Sequence, residues 1–464
     1  MRKGDIMRKI NSTEEIYMKL LRLQIEKLYG HYNYNNIVFN SDVTFIYGLN
    51  GCGKTTILNI TEAIITGQIY KLFIYDFRKI ILEYAPKNNI NSVQEIVIVQ
   101  ENAKILITFR GQSYKIERID IIKESRLKDR DFEKMRYYFS RYEILSEIKK
   151  IFNYVYLPLN RSSMIYDFEN DDDVYYYPRN RNFFVDDTFD EYFNKDLAMV
   201  QIEKLIENSC KKINSEISDI SDKFRNNILK SSLDVNERYT DPHDLFNEII
   251  SQKANNINSI SQTKTAYIKI LKDLSLINKN EEIHFAEFFD SICNDISENK
   301  DKIPVTTVLK MNEVLKIKKI VSLAEETEKQ KAYIRKPIEK FIETMNDFIN
   351  TGEDGKEIKI SSIGHVYFTT KYSENPISIQ YLSSGEKQLI TFFANLIFKV
   401  KSSTSGIFVV DEPELSLHLF WQKIFVEKTL EINKNIQLIF ATHAPEIIGK
   451  NRDKTVKLEK KYVD

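Results

Sequence analysis

The sequence Val-Thr-Phe-Ile-Tyr-Gly-Leu-Asn-Gly-Cys-Gly-Lys-Thr-Thr-Ile-Leu-Asn-Ile, residues 43 to 60, decides the fold of this chain. It opens with a short apolar run that predicts a buried strand, and from Thr55 it takes up a helical pattern. The loop between them fits Gly-x-x-x-x-Gly-Lys-[Ser/Thr], with Gly48, Gly53 and Lys54 ahead of that threonine. Such a loop curls until successive backbone N–H groups point into one concavity, where they can bind phosphate oxygens.

Lys54 and Thr55 give this loop its chemistry. The lysine is placed to reach the outer phosphates of a nucleotide, and the threonine hydroxyl is placed to hold Mg²⁺. The helix that follows adds the positive end of its dipole. The alternative is an ordinary glycine turn between a strand and a helix, which needs neither residue. We therefore predict nucleotide binding.

The composition bounds the class of protein. Of 464 residues, 42% are hydrophobic and 29% are charged, which suits two or three domains or one large domain with an insertion. The 67 basic and 67 acidic residues give a net charge of zero. Nucleic acid therefore stays a possible partner only if it binds to a local basic patch. Three widely spaced cysteines, no signal peptide and no apolar run of membrane-spanning length predict a soluble cytoplasmic protein without a membrane partner.

The pattern along the chain predicts one domain in two parts around a helical insertion. We predict a flexible leader at residues 1–19 and the N-terminal part of the domain at 20–165. The insertion follows at 166–351, and the C-terminal part of the domain at 352–464. In the N-terminal part, alternation around Leu23 predicts a strand, and Val38 to Tyr47 predicts a single return strand into the phosphate loop. Residues 96 to 118 predict an antiparallel meander.

The insertion starts with an acidic and aromatic segment, residues 167 to 196. We interpret it as an ordered lid or linker, and docking of a partner through its aromatic side chains is the alternative. Beyond it, apolar residues recur every three or four positions along two seams that begin at Ile202 and Val308. Pro337 is expected to end one helix and begin the next. About three or four heptads per seam predict a short helical lobe rather than a long coiled-coil arm.

Three later stretches supply candidates for the rest of a nucleotide site. They are Leu-Ser-Ser-Gly-Glu-Lys-Gln, Ile-Phe-Val-Val-Asp-Glu-Pro and Leu-Ile-Phe-Ala-Thr-His-Ala-Pro, at residues 382–388, 407–413 and 438–445. The first places small residues at a helix start, where Ser383 and the N–H groups of Ser384 and Gly385 can bind an anion. Its alternative is an ordinary capped helix start.

The second and third stretches are buried strands with polar residues at their carboxyl ends, where ligands bind in open α/β sheets. Asp411 would hold Mg²⁺ through water, and Glu412 would orient the attacking water. The alternative for this pair is an acidic capping turn. His443 is either structural or a sensor of the γ-phosphate, and we favour the sensor.

Together these four stretches resemble the ABC-type ATPase heads of the SMC, OLD (overcoming-lysogenisation-defect) and related bacterial defence ATPases, over about residues 20 to 160 and 350 to 450. The resemblance implies an α/β fold: an ABC-type P-loop ATPase head, with a mixed central sheet and an antiparallel β subdomain, and an inserted all-α lobe. It implies ATP and Mg²⁺ as ligands, Glu412 as the catalytic carboxylate, and a metal site at Thr55 and Asp411.

The resemblance also implies the residues that contact ATP, in two sets. The loop set is Asn50, Gly51, Cys52, Gly53, Lys54, Thr55 and Thr56. The other set contacts the γ-phosphate held by a second subunit and is Ser383, Ser384, Gly385 and Glu386. Ser416, Leu417 and His418 would cross the same interface, so the implied partner is a second copy in a head-to-head homodimer or a higher oligomer.

The sequence departs from these families in two places. Their glutamine loop, a metal contact, is represented here only by Asn160. OLD proteins continue into a nuclease domain, and since 21 residues follow His443 in this sequence, we expect no such domain here. We therefore expect an ATPase that acts as sensor and switch subunit of an anti-phage defence system with a separately encoded effector. An SMC-like DNA repair or recombination ATPase is the alternative, and the ATP-binding subunit of a transporter is a third hypothesis.

Overall fold

The computed structural model describes residues 18–101, 104–117, 142–152, 154–156, 196–233, 253–273, 276–298, 304–351, 355–399 and 406–462. The chain divides into two compact units, one built from the residues up to Asn208 and from Lys340 onward, the other from Ser209 to Glu339. The predicted boundaries of the insertion stay a prediction, because residues 157–195 lie outside the described ranges. The predicted leader lies outside them too, apart from Met18 and Lys19, which belong to the first strand.

The strands and helices of the described residues are as follows. The strands are β1 Met18–Leu28, β2 Tyr32–Val38, β3 Val43–Tyr47, β4 Lys79–Pro86, β5 Gln94–Glu101, β6 Lys104–Phe109, β7 Gln112–Glu117, β8 Tyr154–Tyr156, β9 Lys356–Ile360, β10 Val366–Thr370, β11 Ser373–Ser378, β12 Ile407–Asp411, β13 Gln437–Ala441, β14 Thr455–Lys457 and β15 Lys461–Tyr462. The helices are α1 Lys54–Ile65, α2 Glu143–Ile151, α3 Leu197–Leu233, α4 Lys253–Asp273, α5 Lys279–Glu298, α6 Val305–Ile349, α7 Ser384–Ala394, α8 Leu419–Ile432 and α9 Pro445–Ile448.

In the part of the chain that the structure describes, a central five-stranded sheet carries the candidate site, in the order β14-β3-β13-β12-β8. Its four pairings are all parallel, where the resemblance implies a mixed sheet. The antiparallel strands of this unit lie in separate sheets, which leaves the central one uniformly parallel. Strands of such a sheet are covered on both faces, and this explains the continuous apolar runs of β12 and β13. Helix α1 packs against both of these strands.

The described strands also form a seven-stranded antiparallel sheet in the order β15-β2-β1-β4-β5-β6-β7, and it confirms the predicted meander. The predicted single return strand from Val38 to Tyr47 is wrong, because β2 and β3 are separate strands in different sheets. The break has a local cause. The Asn40 N–H donates to Thr44 Oγ1 (2.8 Å), and Asp42 accepts from the Val43 N–H (2.7 Å), which turns the chain between the sheets.

The second unit is helical, and its core is formed by apolar residues of α4, α5 and α6: Ile260, Phe289, Ile292, Ile296, Met311 and Val314. The predicted break at Pro337 is wrong, since α6 is one helix of 45 residues with Pro337 inside it. The helix is therefore also longer than the three or four heptads that we predicted for its seam. A proline inside a helix costs roughly 3 kcal/mol. Buried residues on both sides of it, Ala324 and Phe341 among them, offset this cost.

Within the described residues, no helix combines the length and the apolar character that crossing a membrane requires.

Candidate functional site

The phosphate loop lies between β3 and α1. Gly51 (φ 76°) and Gly53 (φ 100°) are in the left-handed region that suits glycine, and Gly53 caps the helix. Lys54 is only 6% exposed, and its ammonium donates to the carbonyl oxygens of Gly48 (3.2 Å) and Leu49 (3.5 Å). The loop is thus folded around the lysine, whose charge lies at the start of the helix.

Tyr34 supports this loop from strand β2. Its hydroxyl donates to the Cys52 carbonyl oxygen at 2.7 Å, and a Cβ on Gly53 would lie 2.8 Å from the same hydroxyl. Burial raises the pKa of Tyr34 to about 12, so the hydroxyl keeps the proton that it donates. Cys52 is buried, and its Sγ packs on Gly48 instead of lining the cavity described below.

Asp411 ends strand β12, and the Thr55 hydroxyl lies close enough to its carboxylate to act on the pKa of Asp411. Its Oδ1 is buried and has no hydrogen-bond partner among the residues that the structure describes. Burial raises the pKa of Asp411, since the Thr55 hydroxyl and the Lys54 charge only partly compensate for lost solvation. A buried carboxylate oxygen without a partner, next to a hydroxyl oxygen, fits a hard cation such as Mg²⁺, which prefers oxygen ligands.

Glu412 and His443 face one cavity of about 520 Å³ together with the phosphate loop. Parallel pairing places Asp411 beside Ala441, so the ends of β12 and β13 lie side by side. Glu412 has a φ of 48°, which is rare for a residue with a side chain, and its N–H donates to the Ala441 carbonyl oxygen at 2.8 Å. The predicted site residues that line the cavity are Asn50, Gly51, Gly53, Lys54, Thr55, Thr56, Glu412 and His443.

Four further residues line the same cavity, and sequence reasoning missed them: Tyr29, Tyr32, Tyr34 and Lys460. The Lys460 ammonium lies 4.5 Å from the centroid of the Tyr32 ring. Pairing of β15 with β2 brings the two together, and neither residue belongs to a motif that could have signalled it.

The stretch from Ser383 to Glu386 does not line the cavity of its own chain. It starts α7 with a capping box, in which Ser383 and Glu386 bond each other's backbone N–H groups. The Glu386 carboxylate also accepts from Lys356 at 2.9 Å. Burial would raise the pKa of Glu386, but hydrogen bonds from Lys356 and Ser383 hold it below its ordinary value. Asn160, the predicted metal contact, lies outside the described residues.

Glu414 is a further residue that sequence reasoning missed. Its carboxylate accepts from the Thr442 hydroxyl (2.8 Å) and from the His443 N–H (2.7 Å). It therefore joins the segment after β12 to the segment after β13. The sequence shows that Glu414 lies two residues after Glu412. It does not show its partners Thr442 and His443, because they come close only through the pairing of β12 with β13.

Comparison with known proteins gives a family match over most of the chain and local matches to curated relatives. A family model described as "AAA ATPase domain" matches residues 18–448. "Retron Vc95 probable ATPase" of Vibrio cholerae serotype O1 biovar El Tor is 30% identical over 125 residues, which are 25% of this chain and 24% of that protein. "Retron Ec83 probable ATPase" of Escherichia coli is 30% identical over 80 residues, 15% of each chain. The matched segments thus span a quarter or less of these relatives.

Among solved structures, Smc head domains are similar at low identity. One is the Smc head domain with a coiled coil and joint from Pyrococcus yayanosii, with a TM-score of 0.38 and 13% identity over 96% of this chain and 97% of that one. Another is the Smc head domain with an extended coiled coil from Pyrococcus furiosus, bound to the C-terminal domain of ScpA. It has a TM-score of 0.37 and 13% identity over 96% of each chain.

Proposed function

The chain belongs to the AAA ATPase domain family, because the model of that family matches residues 18–448. We propose that the chain binds and hydrolyses ATP as the switch subunit of a bacterial anti-phage defence system. The observation that carries the proposal is the convergence of Lys54, Thr55, Glu412 and His443 on one cavity. These side chains come from three segments that are far apart in the sequence.

Each lining residue has a part in the proposed reaction. The backbone N–H groups of the loop and the Lys54 ammonium bind the phosphates. The rings of Tyr29 and Tyr32 offer faces on which the base can stack. Glu412 orients the attacking water and accepts its proton, and His443 donates to the γ-phosphate.

Thr55 and Asp411 would hold the metal in this site. Mg²⁺ bound there would neutralise charge on the phosphates. The unpartnered Oδ1 of Asp411 and its burial support this assignment, because a bound cation would compensate for the solvation that the carboxylate has lost.

We also propose that a second copy of the chain completes the site. Ser383 and Ser384 are exposed, and they do not line their own chain's cavity, which supports a role toward a partner's γ-phosphate. Glu386 would support this stretch through the capping box rather than contact ATP itself.

The defence role rests on the local likeness to two retron ATPases. A separately encoded effector is part of the same proposal, since the proposed site accounts for ATP chemistry alone.

Replacement of Glu412 tests the enzymatic part. Glu412→Gln should lower ATP turnover at least ~100-fold, because it removes the general base. ATP-dependent self-association should persist in sizing experiments, since the phosphate contacts remain. The exposed Glu427 provides a matched control, Glu427→Gln, which should hydrolyse ATP normally. Full turnover by Glu412→Gln, or a monomer with and without ATP, would count against the site.

The defence part needs a test in cells. The gene is expressed with its flanking reading frames, and plating of a phage panel is compared between the wild type and Glu412→Gln. Protection that disappears with Glu412→Gln supports the proposed role. Equal plating on both strains and on an empty-vector strain contradicts it.

A further inference from the structure

Glu414 is held in place by a tight loop between β12 and α8. The Leu415 N–H donates to the Glu412 carbonyl oxygen, and the Leu417 N–H donates to the Glu414 carbonyl oxygen, both at 3.1 Å. Glu412 (φ 48°) and Ser416 (φ 68°) are both in the left-handed region. The backbone on both sides of Glu414 is therefore constrained, and its side chain starts from a fixed point.

The Glu414 carboxylate extends from this point to the end of the neighbouring strand. Its Oε2 accepts from the Thr442 hydroxyl and its Oε1 accepts from the His443 N–H. Thr442 is fully buried, and its Oγ1 in turn accepts from the Ala444 N–H at 2.9 Å. One carboxylate thus organises three consecutive residues, of which His443 lines the cavity.

His443 is the second residue after β13, beyond the last strand pairing, so the ladder of the sheet does not hold its N–H. The bond to Glu414 is the contact of this N–H that the structure shows.

We propose that Glu414 is a positioning residue for the hydrolysis, which holds His443 at the γ-phosphate end of the cavity. The inference rests on the proposed function, since it assumes that His443 acts on ATP. Glu414 touches no substrate in this role, because both of its oxygens face Thr442 and His443. It also ties the Glu412 loop to the His443 segment, so that the two catalytic side chains keep their separation.

Two substitutions separate a positioning role from a role for the charge. Glu414→Ala removes both acceptors, so we expect kcat to fall roughly ten-fold or more with KM nearly unchanged. Glu414→Gln keeps an amide oxygen for the His443 N–H, and its NH₂ can donate to the Thr442 hydroxyl. It should therefore recover most of the lost kcat. A glutamine variant as slow as the alanine variant would overturn the proposal, because it would assign the effect to charge.

A double-mutant cycle with His443→Ala decides whether Glu414 acts through the histidine. If it does, Glu414→Ala adds no further loss of kcat in the His443→Ala background. Multiplicative losses would overturn the proposal. The matched control is Asp42→Ala. Like Glu414, Asp42 accepts from a backbone N–H, that of Val43, and from a side chain, that of Lys454, and it lies at the end of β3 away from the phosphate loop. It should leave kcat unchanged.

Amide hydrogen exchange gives a readout that needs no turnover. Loss of the 2.7 Å bond should speed exchange of the His443 N–H in Glu414→Ala but not in Asp42→Ala. Unchanged exchange at His443 would overturn the proposal even in a fully active enzyme. An inactive wild type would instead contradict the proposed function, and the exchange result would still decide whether Glu414 holds His443.

Discussion

A Cβ on Gly385 would lie 2.3 Å from the carbonyl oxygen of Ser416 and 3.0 Å from the ring of Trp421. The start of α7 and the loop after Glu412 thus approach so closely that a side chain at position 385 has no room. Glycine is needed at position 385 for space, and the same contact fixes the loop that carries Glu412 and Glu414.

Gly385→Ala should therefore destabilise the protein, even without ATP. The added methyl group must displace the Ser416 backbone, and overpacking of this kind costs about 1–3 kcal/mol. Urea unfolding measures the loss. The exposed neighbour Ser384 is the control, and Ser384→Ala should stay within about 0.5 kcal/mol of the wild type. Equal stability of the two variants would show that the contact relaxes without cost.

Thr55→Val should remove the contribution of Mg²⁺ to nucleotide binding. The variant loses the hydroxyl beside the Asp411 carboxylate, so its affinity for a fluorescent ATP analogue should be the same with Mg²⁺ as with EDTA. The wild type should bind more tightly with Mg²⁺. Thr66→Val is the control, because its hydroxyl bonds Glu62 at the far end of α1. A Mg²⁺ effect that survives in Thr55→Val would contradict the assignment.

Tyr32→Ala should weaken ATP binding about ten-fold, since stacking of a base on an aromatic ring is worth about 1–3 kcal/mol. Tyr32→Phe keeps the ring and should bind ATP like the wild type. Equilibrium titration with the fluorescent analogue gives the dissociation constants. Tyr372, which is 77% exposed and outside the cavity, supplies the control Tyr372→Ala. Wild-type affinity in Tyr32→Ala would place the base elsewhere.

Lys19 should make stability depend on pH above neutrality. It is 4% exposed and donates to the Asn435 carbonyl oxygen at 2.9 Å. Burial, with Lys87 nearby, lowers its pKa from 10.5 to about 8. Between these values the unfolded chain binds a proton that the folded chain has released, so the free energy of unfolding rises with pH.

Relative to Lys19→Met, the wild type should gain up to about 3 kcal/mol of stability between pH 7 and pH 10. Chemical unfolding at both pH values gives the difference. Lys434 is exposed beside Asn435, and Lys434→Met should keep the wild-type slope. Parallel stability curves for the wild type and Lys19→Met would show that Lys19 is not desolvated as the structure indicates.

Much of the fold was predictable because buried parallel strands have a distinctive sequence. β12 is apolar up to Asp411, and β3 and β13 are apolar except at Thr44 and Gln437. Each of the three strands leads into the loop or the polar residues of a motif. The separation of β2 from β3 is signalled by Asn40, Ser41 and Asp42, which are residue types that favour turns, but the apolar residues on both sides of them led us to predict one strand. The continuity of α6 depends on burial of Ala324 and Phe341, which local proline rules do not include.

The candidate site divides in the same way. Lys54, Asp411 and Glu412 belong to local motifs, so their proximity could be predicted from strand ends alone. Tyr32 and Lys460 come together only through the pairing of β15 with β2, and residue spacing along the chain carries no trace of it.

The last described strands have a consequence for biosynthesis. β14 extends the parallel sheet beside β3, and β15 extends the antiparallel sheet beside β2, with Lys460 between them in the cavity wall. Lys54 leaves the ribosome about 400 residues before Lys460, which is roughly 20 to 80 s of translation. Until Asp411 and Glu412 are synthesised, which takes most of that interval, the nascent chain displays a phosphate loop without its carboxylates, and β14 and β15 follow later still. A ribosome stalled before residue 407 should therefore carry a chain that cannot retain nucleotide.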